Sequence, residues 1–528
     1  MRNLYYLVPP DRLKNPQLAD EFRLRPLRQW IAGLPAANYG LTIRMFHDRI
    51  LQMNSTQIES EVLFEALEEL YPVYLTAEEF LLSRLVGKSC PLTSDEQKIG
   101  HLAETVTKDF INGYGIILRD VSASTAGWRF ARSFPRVMCR LMRGLSRILL
   151  LRYLLRLPEP EWLWLDLHGL YLLAEQKEKQ NTRVKENKDG KTVTLGTIYK
   201  QILLLRLADP WGLGHREILD TYENLENWSE SLPLPIQHSD GNPGGCILYV
   251  DEDKAPLLIS TKESEIDPDL RVYSMRLDNL FRRLSELLDD SDPSIGRFDL
   301  VDADGNRALG EPAALLETLQ QRWSAVEAAR QNLFEDRKPR ILSIGLKATH
   351  QQLNPPANPE EKIMSDWLVT VNEDQSLRCE FDQPGQIFLG SLVSLKLVDL
   401  EHARRVLGVV NRIWLNRPDG AVHFQIAVLS PQVLAAGIQP VRAKKELQIY
   451  QRVLLFFSET GSGRKANLVL ESQKLKNGNT VQLLTHEDTI KVRLENRKNA
   501  APGYWCFECV PLAEEKKYVI PVKGYDFL

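Results

Sequence analysis

The spacing of the apolar residues changes near residue 337, and this change constrains the fold more than any other feature of the chain. From Leu41 to about Glu230 apolar positions recur at helical intervals, as in Val62, Leu63, Ala66, Leu67 and Leu70, or Phe80, Leu81 and Leu85. From Arg337 the interval is two: Val422, Phe424, Ile426 and Val428 alternate with His423, Gln425 and Ala427. The pattern predicts an α+β chain, with helix hairpins in the N-terminal half and antiparallel β-barrels after them. At 528 residues the chain exceeds what one core can organise. It divides into a helical domain over 1–235, a short β insertion with linking helices over 236–335, a β-barrel over 336–445, and a second small β domain or barrel extension over 446–528.

Local signals punctuate this plan. Thr93-Ser-Asp-Glu96 has the form of a capping box and predicts a helix start, and Asn54-Ser-Thr56 lies ahead of another helix. Pro72 predicts a kink, and Gly113 with Gly115 a break after Phe110. Residues 176–194, rich in Lys and Glu, read as a polar surface excursion too poor in apolar side chains to be buried. Cys246–Val250 reads as a short strand, followed by helices over Leu277–Leu288 and about Glu311–Phe334. Pro384-Gly385 and Arg417-Pro-Asp-Gly420 supply turns between the later strands.

The composition and the motifs set aside several function classes. Six scattered cysteines make no disulfide framework, the first ten residues hold one Arg and no apolar stretch of the length a signal peptide needs, and the most apolar run, Ile148–Leu157, carries Arg152 and Arg156. A cytoplasmic protein with no signal peptide and no transmembrane segment is expected. Gly190-Lys-Thr192 ends like a phosphate loop, but Lys185 stands where its first Gly must be, and HExxH and GxSxG are absent. Asp302, Asp304, Gly305 and Glu311 imitate part of a calcium loop, yet Leu300 would fill its first ligand position, so an Asp-Gly turn is the better account. Cys506 and Cys509 lie three apart in a β run, which sends their thiols to opposite faces and makes them structural. His47, His101, His168 and His350 read as structural histidines. No enzyme, metal or cofactor is expected.

Charge is segregated. The net −4 conceals a stretch between Val121 and Pro158 with eight Arg and no Asp, Glu or Lys, so it carries +8 against −12 elsewhere. At 100° per residue, Arg136, Arg140, Arg143 and Arg147 fall within an arc of about 60° on one helix face. Such a face could grip nucleic acid or an anionic membrane surface through phosphate groups. Equally, its stems could cover apolar surface while its heads pair with Glu65, Glu68 or Glu69 of neighbouring helices.

The β half carries a family resemblance. Arg337-Lys-Pro-Arg340, Val369-Thr-Val-Asn372, Gly390-Ser-Leu-Val-Ser-Leu395, Leu407-Gly-Val-Val-Asn-Arg412 and Phe424-Gln-Ile-Ala-Val-Leu-Ser430 resemble the strand succession of a PilZ-type barrel. Leu34-Pro-Ala-Ala-Asn38, Leu165–Ala174 and Tyr199–Pro210 are similar to the helical part of a group of proteobacterial cytoplasmic proteins that end in such a barrel. PilZ domains sense cyclic di-GMP, so the resemblance implies this ligand. It would be held by an Arg arm before the first strand and by a motif of Asp or Asn, Ser two residues on, and Gly three further. The positions carried over are Arg337, Arg340 and Asn372. The arm reads RxxR where the family has RxxxR, and counted from Asn372 the motif meets Asp374 and Leu377 in place of Ser and Gly.

Two functions follow. The first is a non-enzymatic adaptor or effector whose PilZ-like barrel senses cyclic di-GMP and relays to a protein partner. The alternative is a nucleic-acid or anionic-surface binder acting through the Arg helix over 129–156.

Overall fold

The computed structural model describes residues 11–123, 132–186, 191–238, 245–259, 270–289, 313–324, 334–354, 366–398, 404–416, 420–441, 450–460, 463–471, 474–486 and 488–512. Its N-terminal half is a bundle of packed helices around one apolar core. At the centre lies Phe134–Leu154, buried along most of its length, with Ser94–Ala123 against it and Ser60–Ser83 beyond. The capping box is formed: the Thr93 amide donates to Glu96 Oε2 at 2.9 Å and the Glu96 amide to Thr93 Oγ1 at 3.2 Å. Pro72 sits inside the single helix Ser60–Ser83.

The break expected at Gly113 and Gly115 does not occur, because Ser94–Ala123 runs straight through both. Packing explains Gly113, and likewise Gly144 on the facing helix: a Cβ on Gly113 would come within 2.9 Å of Leu67, and one on Gly144 within 2.1 Å of Ile111. These glycines let the central helices approach closely, and burial outweighs their poor helix propensity.

The described residues of 176–194 are mostly exposed, as expected, but include a short paired element. Val184–Lys185 and Thr192–Val193 pair as a hairpin, with Val184 and Val193 buried in the helical core. Beyond it, Ile236–Gln237, Val272–Met275, Cys246–Tyr249 and Leu257–Leu258 form a four-stranded sheet in that spatial order. The helices Asp278–Asp289 and Ala313–Trp323 return to the helical core through Leu280, Leu284, Leu316 and Trp323. The calcium-like segment at 302–311 lies outside the described residues.

Two closed antiparallel barrels of six strands each complete the chain. The first uses Arg340–Ile344, Trp367–Val371, Leu377–Cys379, Leu392–Leu397, Val406–Leu415 and Val422–Ser430. The second uses Val433–Pro440, Gln451–Thr460, Gly463–Leu470, Thr480–Leu484, Thr489–Ala501 and Tyr504–Pro511. Numbered within its own barrel, each set has the neighbour order first, second, third, sixth, fifth, fourth, closing back onto the first. The second barrel thus begins at Val433, ahead of the division at 446 read from the sequence. Its first strand, Val-Leu-Ala-Ala-Gly-Ile-Gln-Pro, has little β-branched character to announce it.

Outer faces of both barrels, with Leu346 of the short helix Gly345–Leu353 between them, meet in an apolar seam of Leu392, Leu407, Val409, Val433, Leu454, Phe456, Val469 and Ala501. That seam explains why Leu454, Leu455 and Phe456 are apolar in succession: alternate residues serve the barrel interior and the seam. Cys509 faces the second barrel's interior and Cys506 the seam, opposite faces as expected.

The helical half docks on the first barrel at two places. Cys90 and Ile387 exchange backbone hydrogen bonds of 2.7 and 2.9 Å. Elsewhere the Leu415 amide donates to the Arg156 carbonyl at 2.7 Å, beside the turn Pro210–Gly212 that packs on strand Val406–Leu415.

Candidate functional site

At the rim of the first barrel, beside this docking place, lies an open groove of about 580 Å³ lined by Arg337, Val371, Asn372, Glu373, Asp374, Ser376, Trp414, Asn416 and His423. Three parts of the fold supply it: the arm before the first strand, the turn between the second and third strands, and the outer face of the fifth and sixth.

The turn is the most rigid part. The Asn372 amide donates to the Ser376 carbonyl at 2.8 Å, closing a short loop. Inside it the Ser376 hydroxyl donates to Asp374 Oδ1 at 2.6 Å and the Ser376 amide to the same oxygen at 3.0 Å. Asn372 Nδ2 donates to Ser376 Oγ at 2.8 Å and reaches His423 Nδ1 at 3.1 Å. Burial works to raise the Asp374 carboxyl, but the hydrogen bonds from Ser376 and the positive charge of Arg412 outweigh it and hold Asp374 below the usual carboxylate range. The turn is therefore anionic at neutral pH, with its acceptors fixed.

On the arm, the two arginines diverge. Arg337 is exposed at the groove, 3.5 Å from Glu373 in a loose ion pair. Arg340 is buried: its Nη2 binds Asp336 at 2.7 Å, its Nη1 donates to the Lys338 carbonyl at 2.7 Å, and its guanidinium lies 4.7 Å from the Phe334 ring centroid. It braces the arm and does not line the groove. Three-residue spacing at the start of a strand sends the two side chains to different sides. Arg337 itself has φ of 50°, a left-handed conformation that a long side chain rarely adopts.

Trp414 and His423 are cross-strand partners on the outer face, their rings stacked with centroids 5.8 Å apart at 27°. Neither was singled out from the sequence as a site residue. Alternation shows that they point outward, but only the pairing of the third, fifth and sixth strands brings them to the turn. Asp374 and Ser376 could have been found. Counted from Asp374, the Asp, Ser, Gly spacing falls on Asp374, Ser376 and Cys379, with a buried Cys in the last place. Chemically the described lining offers one guanidinium, two carboxylates, two amides and an aromatic face, a set suited to a planar polar base.

The Arg helix is a different matter. Arg140 binds Glu68 at 2.9 Å and stacks 3.5 Å from the Tyr71 ring centroid. Arg143 reaches Gln201 at 2.8 Å, Tyr222 at 3.1 Å and Glu226 at 3.2 Å, and also pairs with Glu186 of the hairpin. Arg147 faces Glu78 at 3.4 Å, and the more exposed Arg136 lies 3.6 Å from Glu68. Arg140 and Arg143 are both 7% exposed. The four side chains share a face, as their spacing predicts, but that face looks into the bundle. This corrects the reading of a basic surface for nucleic acid or membrane: leaving these carboxylates unpaired inside the bundle would cost more than pairing them. Glu68 is the partner expected from the sequence, whereas Glu69 pairs with Arg28.

Of the four histidines expected to be structural, His101 is exposed, His47 pairs with Asp109 at 2.7 Å, and His168 and His350 are buried. His168 is fully buried between the Tyr199 hydroxyl at 2.6 Å and the Lys254 carbonyl at 3.0 Å, and burial pushes it down to about 4. His350 contacts the Ala436 carbonyl at 3.0 Å across the seam. Among the described residues no group of His, Cys, Asp and Glu could hold a metal ion, and no helix is long and apolar enough to cross a membrane.

Residues 25–238 match the family described as the N-terminal domain of the cyclic-di-GMP receptor FimW. The chain is also similar to the cyclic-di-GMP receptor FimW of Pseudomonas aeruginosa, 23% identical over an alignment of 571 positions that covers 94% of this chain and 93% of that protein. No solved structure matches it.

Proposed function

We propose that this protein is a non-enzymatic cyclic di-GMP receptor of the cytoplasm. The groove on its first, PilZ-like barrel takes the nucleotide, and the helical half relays its presence to a protein partner. The convergence of Arg337, Asn372, Asp374 and Ser376 on one groove carries the reading. A guanine presents O6 and N7 as acceptors to an Arg fork, and its N1 and N2 hydrogens need acceptors such as the Asp374 carboxylate. Both needs are met within one turn and one arm. The likeness to a receptor along nearly the whole chain supports the same reading and favours binding over catalysis.

Calorimetric titration with cyclic di-GMP tests it. Saturable binding is expected, weakened about 10-fold or more in Arg337→Ala, as for loss of a charged hydrogen-bonding group. No heat at ligand concentrations up to about 0.5 mM, where binding of modest affinity would register, would overturn the reading.

A further inference from the structure

The groove as it stands does not balance the charge of such a ligand. Among the described residues Arg337 is its one cationic lining residue, set against Glu373 and Asp374. The lining is therefore net negative, while a cyclic dinucleotide brings two phosphates. A second cation is required, and the molecule holds one beside the groove.

Arg412 lies two residues before Trp414 on the outer face of strand Val406–Leu415. Its guanidinium carbon is 5.2 Å from the Trp414 ring centroid and 5.7 Å from that of Trp211, between the barrel and the helical half. Nη2 pairs with Asp209 Oδ1 at 3.1 Å, both side chains about a third exposed. Nε is buried with no hydrogen-bond acceptor among the described residues. Asp209 belongs to a firmly held corner. It has φ of 50°, and the carbonyls of Ala208, Asp209 and Gly212 all accept from Arg322, at 2.6, 2.9 and 3.0 Å. A fixed backbone thus presents one carboxylate to an arginine that also stacks on two ring faces and lies within the field of Asp374.

We infer that Arg412 is a phosphate-binding residue of this groove, held on Asp209 of the helical half until an anionic nucleotide draws it across the face of Trp414. The inference rests on the groove being the cyclic di-GMP site. Arginine suits the role, since its fork binds phosphate with two donors and its planar group slides on an aromatic face without losing that contact. Asp209 and ligand then compete for one cation. By linkage, weakening one partner strengthens the other to the same degree.

The test is calorimetric titration with cyclic di-GMP of the full chain, of Asp209→Asn, of Arg412→Ala, and of the double variant, each first checked by thermal melting for a folded state. Asp209→Asn is expected to tighten binding about 5-fold or more, the lower end of typical coupling. Arg412→Ala is expected to weaken it about 10-fold or more, as for loss of a charged hydrogen bond. In the Arg412→Ala background, Asp209→Asn should change nothing. Unchanged or weaker binding in Asp209→Asn, or wild-type affinity in Arg412→Ala, overturns the inference and leaves the groove reading standing, because the unaltered chain still binds. Should the unaltered chain not bind at all, the groove reading fails and the inference with it. If Arg412→Ala does not fold, Arg412→Lys replaces it: it keeps the charge but loses the fork, and intermediate affinity is expected. Wild-type affinity in that variant would reduce Arg412 to a point charge and overturn its role as a two-donor ligand.

Discussion

In the first barrel the segment before the opening strand is an arm that carries Arg337 to the outer face; in the second barrel that place is taken by Pro431-Gln432, the short step out of the first barrel's last strand. Between the second and third strands the first barrel has the cross-bonded turn Asn372–Ser376, where the second closes a hairpin from Thr460 to Gly463. On the fifth and sixth strands, Trp414 and His423 face the groove, whereas in the second barrel Asn496 and Glu508 close on themselves. There Glu508 accepts from Asn496 Nδ2 at 2.7 Å and from Lys465 Nζ at 3.0 Å. Every strand pairing is shared, yet one barrel has an open polar groove and the other a sealed polar knot. The frame is common to both, and the difference lies in two short connections and the outward residues of the fifth and sixth strands.

The largest expected effect asks whether the two barrels are one body. Leu407, fully buried, belongs to the seam rather than to either interior. Leu407→Ala should cost about 2–5 kcal/mol in chemical denaturation, as for other large-to-small core changes. If the seam unites the barrels, the whole β half shifts in a single transition. Two transitions, only one of them moved, would mean that the barrels fold separately and that the comparison is between independent domains.

Next comes the contrast in binding. Asp374→Ala removes the oxygen that holds the Ser376 hydroxyl and amide, and should weaken cyclic di-GMP about 10- to 100-fold, the range for hydrogen bonds to a charged group. Glu508→Ala, the corresponding polar centre of the second barrel, should leave calorimetric affinity unchanged. Equal losses from both would erase the distinction between groove and knot.

These sites were unequally legible in the sequence. The change of period at 337 showed where helices give way to strands, because burial on one face imposes the period on each element. Arg337 and Asn372 could be read because they belong to local motifs. Trp414, His423 and Arg412 could not, since their meeting with the turn depends on pairings between strands tens of residues apart, and alternation says only that a side chain points outward. The Arg helix shows the same limit: the spacing of Arg136 to Arg147 proves a common face, but its direction depends on Glu78, Glu186 and Glu226, which come from three other elements. The polar excursion at 176–194 is mostly exposed where described, as its composition implies, but Val184 and Val193 turn into the core and Arg143 draws Glu186 inward, which no local pattern announces.

A smaller effect concerns the seam and pH. Burial lowers the His350 imidazole, with Arg452 acting in the same direction and the Ala436 carbonyl opposing them. A folded-state value below the ordinary value of about 6.5 means that His350 favours the fold fully above that pH and progressively less as acid is added toward the folded value. Thermal midpoints should therefore fall between about pH 7.5 and 5, and fall less steeply in His350→Gln, whose amide can still donate to Ala436. An unchanged slope would place the acid sensitivity elsewhere, His168 in the helical half being the next candidate.

The smallest effect compares two turns held in the left-handed region, one by a side-chain-bearing residue at the groove and one by glycine away from it. Gln375, in the turn that forms the groove, has φ of 63°, while Gly503, in the turn between the second barrel's fifth and sixth strands, has φ of 79°. A left-handed glutamine costs about 1–2 kcal/mol of local strain, but replacing it with glycine also frees the unfolded chain by about 0.5–1 kcal/mol. Gln375→Gly should thus leave denaturation stability within about 1 kcal/mol of wild type, while affinity falls about threefold because a looser turn must be ordered on binding. Gly503→Ala should do the reverse, losing about 1 kcal/mol of stability with unchanged affinity. Strain retained at Gln375 would then be part of how the groove is held ready.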